Sequence, residues 1–156
     1  MNYRIYLLLI LLTLVSCSKN PSEQKKNTKL TDGASTLFTK VTSKSSGITF
    51  MNNTQQTNEF NFMNYTNIYT GAGLATGDIN NDGLEDVYFV SNSGPNKLYK
   101  NRGDFTFEDI TVSSKTGDYT GFSTGVSMLD INSDGWLDIY VCKAGTPDGE
   151  NRNNEL

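Results

Sequence analysis

Beyond the first fifteen residues the chain shows no helical periodicity; its apolar residues fall in short runs between polar turns. Val87-Tyr88-Phe89-Val90 and Ile139-Tyr140-Val141-Cys142 are β-branched and aromatic, the composition of buried strands. Each follows a stretch rich in glycine and small residues, Gly73–Gly77 and Gly125–Leu129, which suits a strand packed tightly by its neighbours. The pattern predicts four antiparallel strands over about Gly73–Asp78, Asp86–Ser91, Lys97–Asn101 and Phe105–Thr111. Ser93-Gly94-Pro95-Asn96 reads as a turn between the second and third, and Arg102-Gly103-Asp104 as the hairpin turn before the fourth.

The same unit begins again further on. Asp78-Ile79-Asn80-Asn81-Asp82-Gly83-Leu84-Glu85-Asp86 recurs as Asp130-Ile131-Asn132-Ser133-Asp134-Gly135-Trp136-Leu137-Asp138, an offset of 52 residues. Asn96-Lys97-Leu98 matches Asn154-Glu155-Leu156, and Phe38-Thr39-Lys40-Val41-Thr42 resembles Phe107-Glu108-Asp109-Ile110-Thr111. Four short strands at a period near fifty residues describe a propeller blade. The expected fold is therefore all-β, a partial β-propeller of about two four-stranded blades, with residues 37–156 as the blade region. A small β-sandwich of about 120 residues is the alternative, and it would leave its last strand edge unpaired.

The repeated nonapeptide, D-I-N-x-D-G-x-x-D, has the chemistry of a calcium loop. Calcium takes six to eight oxygen ligands, and alternate loop positions direct side chains into one concavity. Asp78, Asn80 and Asp82 hold positions one, three and five, as do Asp130, Asn132 and Asp134. Gly83 and Gly135 stand at the sharp bend. The carbonyls of Leu84 and Trp136 can add main-chain oxygens, and Asp86 and Asp138 close the shell at position nine. An EF-hand or dockerin loop needs an acid at position twelve and a helix after it. Position twelve is Phe89 or Val141, and strands follow, so these loops are expected to join strands.

Charge and cysteine usage bound the setting. Residues 78–156 carry fourteen acids against six Lys/Arg, and the six liganding Asp with Glu85 supply half of those acids. A basic face for nucleic acid is missing. Residues 1–16 combine Arg4 with an apolar run over Tyr6–Val15, too short for a bilayer span but suited to a signal peptide. Leu14-Val15-Ser16-Cys17 resembles the bacterial lipobox, which implies cleavage before Cys17, lipid on that cysteine and a membrane anchor. An ordinary secretory signal or a marginal anchor helix is the alternative. Residues 17–36 are a polar tether in which no core could form. Cys142, in a strand pattern, reads as a small core residue.

Gly77–Val87 resembles the FG-GAP/VCBS repeat of integrin-α-like β-propellers, and the stretch from Phe38 to Leu156 is similar to the start of large VCBS-repeat lipoproteins of Bacteroidetes. Some of these are related to the ASPIC/UnbV and cartilage acidic protein families. The resemblance implies a seven-bladed propeller stabilised by Ca2+, lipid-anchored at the outer membrane or cell surface, of which this chain is an N-terminal part. Two functions are in view: a non-enzymatic module that binds or adheres to extracellular protein or glycan, and a propeller that serves polysaccharide breakdown. The chain has no histidine, so imidazole catalysis is excluded within it. It also has no nucleophile elbow or phosphate-cradling loop. No catalytic residue is expected. Phe60, Phe62, Tyr65 and Tyr69 crowd the stretch before the first blade, where they can cover a core or stack on sugar rings.

Overall fold

The computed structural model describes residues 37–117, 121–145 and 152–156. The signal peptide, Cys17 and the tether expected over residues 1–36 lie outside the described residues. The chain divides into two units, Met1–Thr39 and Lys40–Leu156. Of the first, only residues 37–39 are described, and they are exposed and outside any helix or strand. Among the described residues no helix is long and apolar enough to cross a membrane.

The second unit is all-β in its regular sheets. Strands β1 (Leu74–Gly77), β2 (Asp86–Phe89), β3 (Lys97–Asn101) and β4 (Phe107–Asp109) form an antiparallel meander in that order. Strands β5 (Ser123–Leu129) and β6 (Asp138–Lys143) form a second antiparallel sheet. The repeat is visible in the register. Gly77 pairs with Asp86 across the first loop, and Leu129 with Asp138 across the second. Phe89 pairs with Lys97, and an isolated bridge joins Val141 to Glu155 at the matching place. The turn between is tied the same way twice. Ser91 N–H donates to Asn96 Oδ1 at 2.8 Å, and Lys143 N–H to Asn154 Oδ1 at 3.0 Å.

Three expectations are corrected. The fourth strand starts at Phe107 rather than Phe105, because Gly103, Asp104 and Phe105 all take positive φ (85°, 50° and 56°). It also ends at Asp109. The Asp109 carboxylate accepts the Thr111 N–H at 3.0 Å, and the chain turns into a single helical turn at Thr111–Ser114. Finally, Phe38–Thr42 forms no strand. Thr42 instead caps a helical turn over Ser43–Ser46, accepting the Ser45 N–H at 3.2 Å. A 3-10 turn covers Thr66–Tyr69.

The two sheets pack face to face. Tyr88, Val90 and Leu98 of the first and Val141 of the second are buried together, with Val126, Met128 and Ile139 packed against them. Burying such side chains contributes roughly 1.5–3 kcal/mol each. The sheets meet closely because two glycines leave room. A Cβ on Gly73 would lie 3.0 Å from Gly125 Cα, and one on Gly77 would lie 2.6 Å from Leu137 Cδ1. On the other face of the first sheet, Phe50 stacks on Phe89 at 4.8 Å between centroids, and Thr49 N–H donates to the Tyr99 hydroxyl at 3.2 Å.

Candidate functional site

The β1–β2 and β5–β6 loops close through the same five hydrogen bonds. In the first, Asp82 N–H donates to Asp78 Oδ1 (3.0 Å) and Asn80 Oδ1 (3.1 Å). Gly83 N–H donates to Asp78 Oδ2 (2.7 Å), Leu84 N–H to Asp82 Oδ1 (3.0 Å), and Ile79 N–H to Asp86 Oδ2 (3.1 Å). In the second, the five matching bonds measure 3.1, 2.9, 2.9, 2.9 and 3.1 Å, with Asp130, Asn132, Asp134 and Asp138 as acceptors. The backbone follows suit: Asn81 and Ser133 have φ of 56° and 63°, and Gly83 and Gly135 of 85° and 87°. Short Asx side chains fold each loop around its own amides.

Positions one, three and five of each loop are thus drawn to one side of the turn. Position nine plays a second part. Asp86 is fully buried, and its other oxygen accepts the Asn101 N–H of β3 at 2.7 Å. It fastens the loop to the third strand. Asp138, its counterpart, is half-buried. Leu84 and Trp136 expose their side chains. The loops also touch each other, through the Asn81 amide and the Gly135 carbonyl at 3.2 Å.

The donor set suits a hard divalent cation, being carboxylates, carboxamides and carbonyls. Among the described residues no three Asp, Glu, Cys or His side chains gather as a metal cluster. Any shell would therefore be mixed, with Asn80 or Asn132 and a main-chain carbonyl beside the carboxylates. An ionised carboxylate offers about four lone-pair sites, so the amide bonds described leave capacity for an ion. At the first loop a cation already answers this charge. Lys100 Nζ stands 3.3 Å from Asp82 Oδ2. Desolvation pushes the Asp82 carboxyl up, but the Leu84 N–H, the Lys100 ammonium and the Asn80 amide together hold it below the ordinary carboxylate value.

Sequence reasoning misses Lys100, which comes to the loop only through the β2–β3 pairing. It also misses a polar knot at the other end of the β1–β2 hairpin. Asn52 Nδ2 donates to Asn92 Oδ1 at 2.7 Å, and Asn92 donates to the Gly71 and Ser123 carbonyls at 2.8 and 2.9 Å. The four aromatics in the stretch before β1 divide. Phe60 and Tyr65 pack on the buried Phe122, with centroids 5.8 and 5.2 Å away. Phe62 and Tyr69 stack on each other at the surface. The Arg102-Gly103-Asp104 tripeptide is the β3–β4 hairpin turn, with Arg102 ion-paired to Glu108. Cys142 is a half-buried free thiol in β6.

With the geometry in place, similarity to known proteins can be set beside it. Residues 78–141 match the family model described as an FG-GAP-like repeat. That span runs from the first loop through the second into β6. Cartilage acidic protein 1 of Xenopus tropicalis is 42% identical over 74 residues, covering 47% of this chain and 11% of the relative. The human protein of the same name is 39% identical over 72 residues, covering 46% and 11%. The matched stretch is thus about a tenth of the length of these curated relatives. No solved structure matches the chain. Residues 78–141 carry an FG-GAP-like repeat, and the chain shares distant homology with cartilage acidic protein 1.

Proposed function

We propose that this chain belongs to a calcium-stabilised β-propeller, a non-enzymatic module that binds extracellular protein or glycan. One observation carries the reading: two acidic loops, 52 residues apart in sequence, close through the same five hydrogen bonds. A solitary Asx turn needs no copy of itself. Two copies with the oxygen donors kept at positions one, three, five, seven and nine argue for a shared ligand. Calcium bound to Asp78, Asn80, Asp82, the Leu84 carbonyl and Asp86, and to Asp130, Asn132, Asp134, the Trp136 carbonyl and Asp138, would offset clustered negative charge. It would also stiffen each hairpin, so that the loops at that end of the sheets are preorganised for a partner.

FG-GAP-like repeats are typical of extracellular binding and adhesion modules, which supports this role over catalysis. Seven blades, and kinship with Bacteroidetes lipoproteins of VCBS type, extend the resemblance. Placement at the outer membrane, with lipid on Cys17 as anchor, rests on the lipobox-like residues 14–17. Labelling of the expressed chain with radioactive palmitate tests that anchor, and a Cys17→Ala variant that still labels would refute it.

Isothermal titration with CaCl2 tests the metal. The expected result is uptake at two sites per chain, reduced to one by Asp134→Ala. A folded chain that takes up no calcium at millimolar concentration would overturn the proposal, because extracellular calcium modules bind with Kd of about 10⁻⁴–10⁻³ M.

A further inference from the structure

The acidic loops lie at one end of the β1–β2 hairpin. At the other end, where Gly71 enters β1 and Asn92 leaves β2, the surface opens into a cleft of about 310 Å³. We infer that this cleft, lined by Tyr69 on which Phe62 stacks, binds a neutral saccharide. The inference rests on the binding-module reading and names its ligand class.

The lining is the first argument. Asn52, Asn53, Thr54, Tyr69 and Asn92 face the cleft, and Ile68 is buried beneath it. No Asp, Glu, Lys or Arg is among the lining residues. Carboxamides and hydroxyls each donate and accept, as sugar hydroxyls do. A charged ligand would find no counter-ion here. The volume is at the small end of the ~300–1,000 Å³ range of ligand clefts, room for a single ring.

The second argument is preorganisation. Asn92 is nearly inaccessible, and its amide is fully engaged with Gly71, Ser123 and Asn52. Asn52 is held in turn, its Oδ1 accepting the Asn92 N–H at 3.0 Å and the Ser91 hydroxyl at 3.4 Å. The back wall is therefore fixed. By contrast, the side chains of Asn53 and Thr54 make no hydrogen bond among the described residues, which leaves them to a ligand. A fixed wall with uncommitted groups at its mouth lowers the ordering cost of binding.

The third argument is the aromatic pair. The Phe62 and Tyr69 rings stack with centroids 6.4 Å apart and planes 22° from parallel, yet they are 52% and 60% exposed. Both are held in place. Gln56 donates to the Tyr69 hydroxyl. Phe62 sits on a loop tied by its own amides: Asn61 N–H to Asn64 Oδ1 at 2.9 Å, and Asn64 Nδ2 to the Glu59 carbonyl at 2.6 Å. A rigid, water-facing aromatic surface beside polar groups suits the apolar face of a sugar ring above its hydroxyls. Phe60 and Tyr65, from the same stretch, are spent on Phe122, so the exposed pair is not merely core overflow.

The test is retention of the full chain, in calcium-containing buffer, on immobilised neutral glycans: a β-glucan, a mannan, a galactan and a xylan. The expected result is retention by at least one, weakened about three- to tenfold by Tyr69→Ala or Phe62→Ala, as loss of an aromatic contact implies. Asn53→Ala should weaken it too. Phe105→Ala, an exposed aromatic on the β3–β4 hairpin, should leave it unchanged. Circular dichroism of each variant controls for folding. No retention on any of the four, or retention indifferent to Tyr69→Ala and Asn53→Ala, overturns the inference. Either result would leave the binding-module reading standing, because a protein partner could still use the loops. Calcium uptake is measured separately, so its failure counts against the metal and not against this cleft.

Discussion

Removing the Asp86 side chain separates what position nine does for the fold from what it does for a metal. Its Oδ2 accepts the Ile79 N–H at 3.1 Å and its Oδ1 the Asn101 N–H at 2.7 Å, in a fully buried setting. Asp86→Ala deletes both acceptors and leaves two backbone donors unpaired. Each such donor costs about 1–3 kcal/mol, and both are only part-buried, so water recovers some of the loss. The expected destabilisation is about 2–4 kcal/mol, a large share of the roughly 5–15 kcal/mol typical of a domain. Asp138→Ala is the internal comparison. Its carboxylate is half-buried and accepts the Ile131 N–H at 3.1 Å, so about 1 kcal/mol is expected. The assay is urea unfolding at neutral pH with a calcium chelator, where metal ligation contributes nothing to either variant. If Asp86→Ala unfolds at the wild-type midpoint under chelator, the buried carboxylate does not hold the loop to β3. The order of the two variants tests the reasoning as well, since a pure ligand role would make them equal.

Other outcomes follow from the same contacts. Lys100 competes with any cation for Asp82, so Lys100→Met should tighten calcium binding at the first loop by up to about fivefold, read by titration of an Asp134→Ala background. Asp109 is subject to desolvation, which raises its pKa, but the Thr111 hydroxyl and N–H and the Lys97 ammonium hold it below the ordinary value. Its stabilisation is present above the unfolded carboxylate pKa and lost as pH falls through the lower folded value, so the deficit of Asp109→Asn should shrink below about pH 4. Gly77→Ala would press a methyl to 2.6 Å from Leu137 Cδ1 and 3.1 Å from Met128 Sδ, costing about 1–3 kcal/mol in denaturant unfolding, with Leu137→Ala in the same chain restoring part of the loss.

What the sequence displays is what short-range chemistry decides. The loop conformation depends on Asx side chains reaching amides two to five residues on, so nine residues suffice to specify it. The β1–β2 register follows from that loop, because Gly77 must meet Asp86 once the bend is fixed. The strand limits of β4 are less legible. Phe105 has the apolar character of a strand residue, but its backbone is already turning, and the strand stops at Asp109, whose carboxylate takes the Thr111 N–H as the chain turns away. Phe38–Thr42 shows the limit most plainly. It resembles Phe107–Thr111 yet forms no strand, since a strand needs a paired neighbour and not only similar residues. Contacts that join distant segments leave no local trace: Asn52 with Asn92, Lys100 with Asp82, Gly73 with Gly125.

The repeat also explains how the two sheets fit, and the fit bears on the propeller reading. The face of the first sheet that packs on the second carries Tyr88, Val90 and Leu98. Shifted by the repeat, those positions in the second unit are Tyr140, Cys142 and Leu156. The second sheet meets the first with its opposite face, that of Val126, Met128, Ile139 and Val141. One unit therefore has two different faces that complement each other, head to tail. Such contacts do not close on themselves in a pair; they propagate until rotation between units brings the series round. Burial agrees: Leu98 is 1% exposed where the second sheet covers it. Contact between unlike faces is what the proposed ring of blades would use.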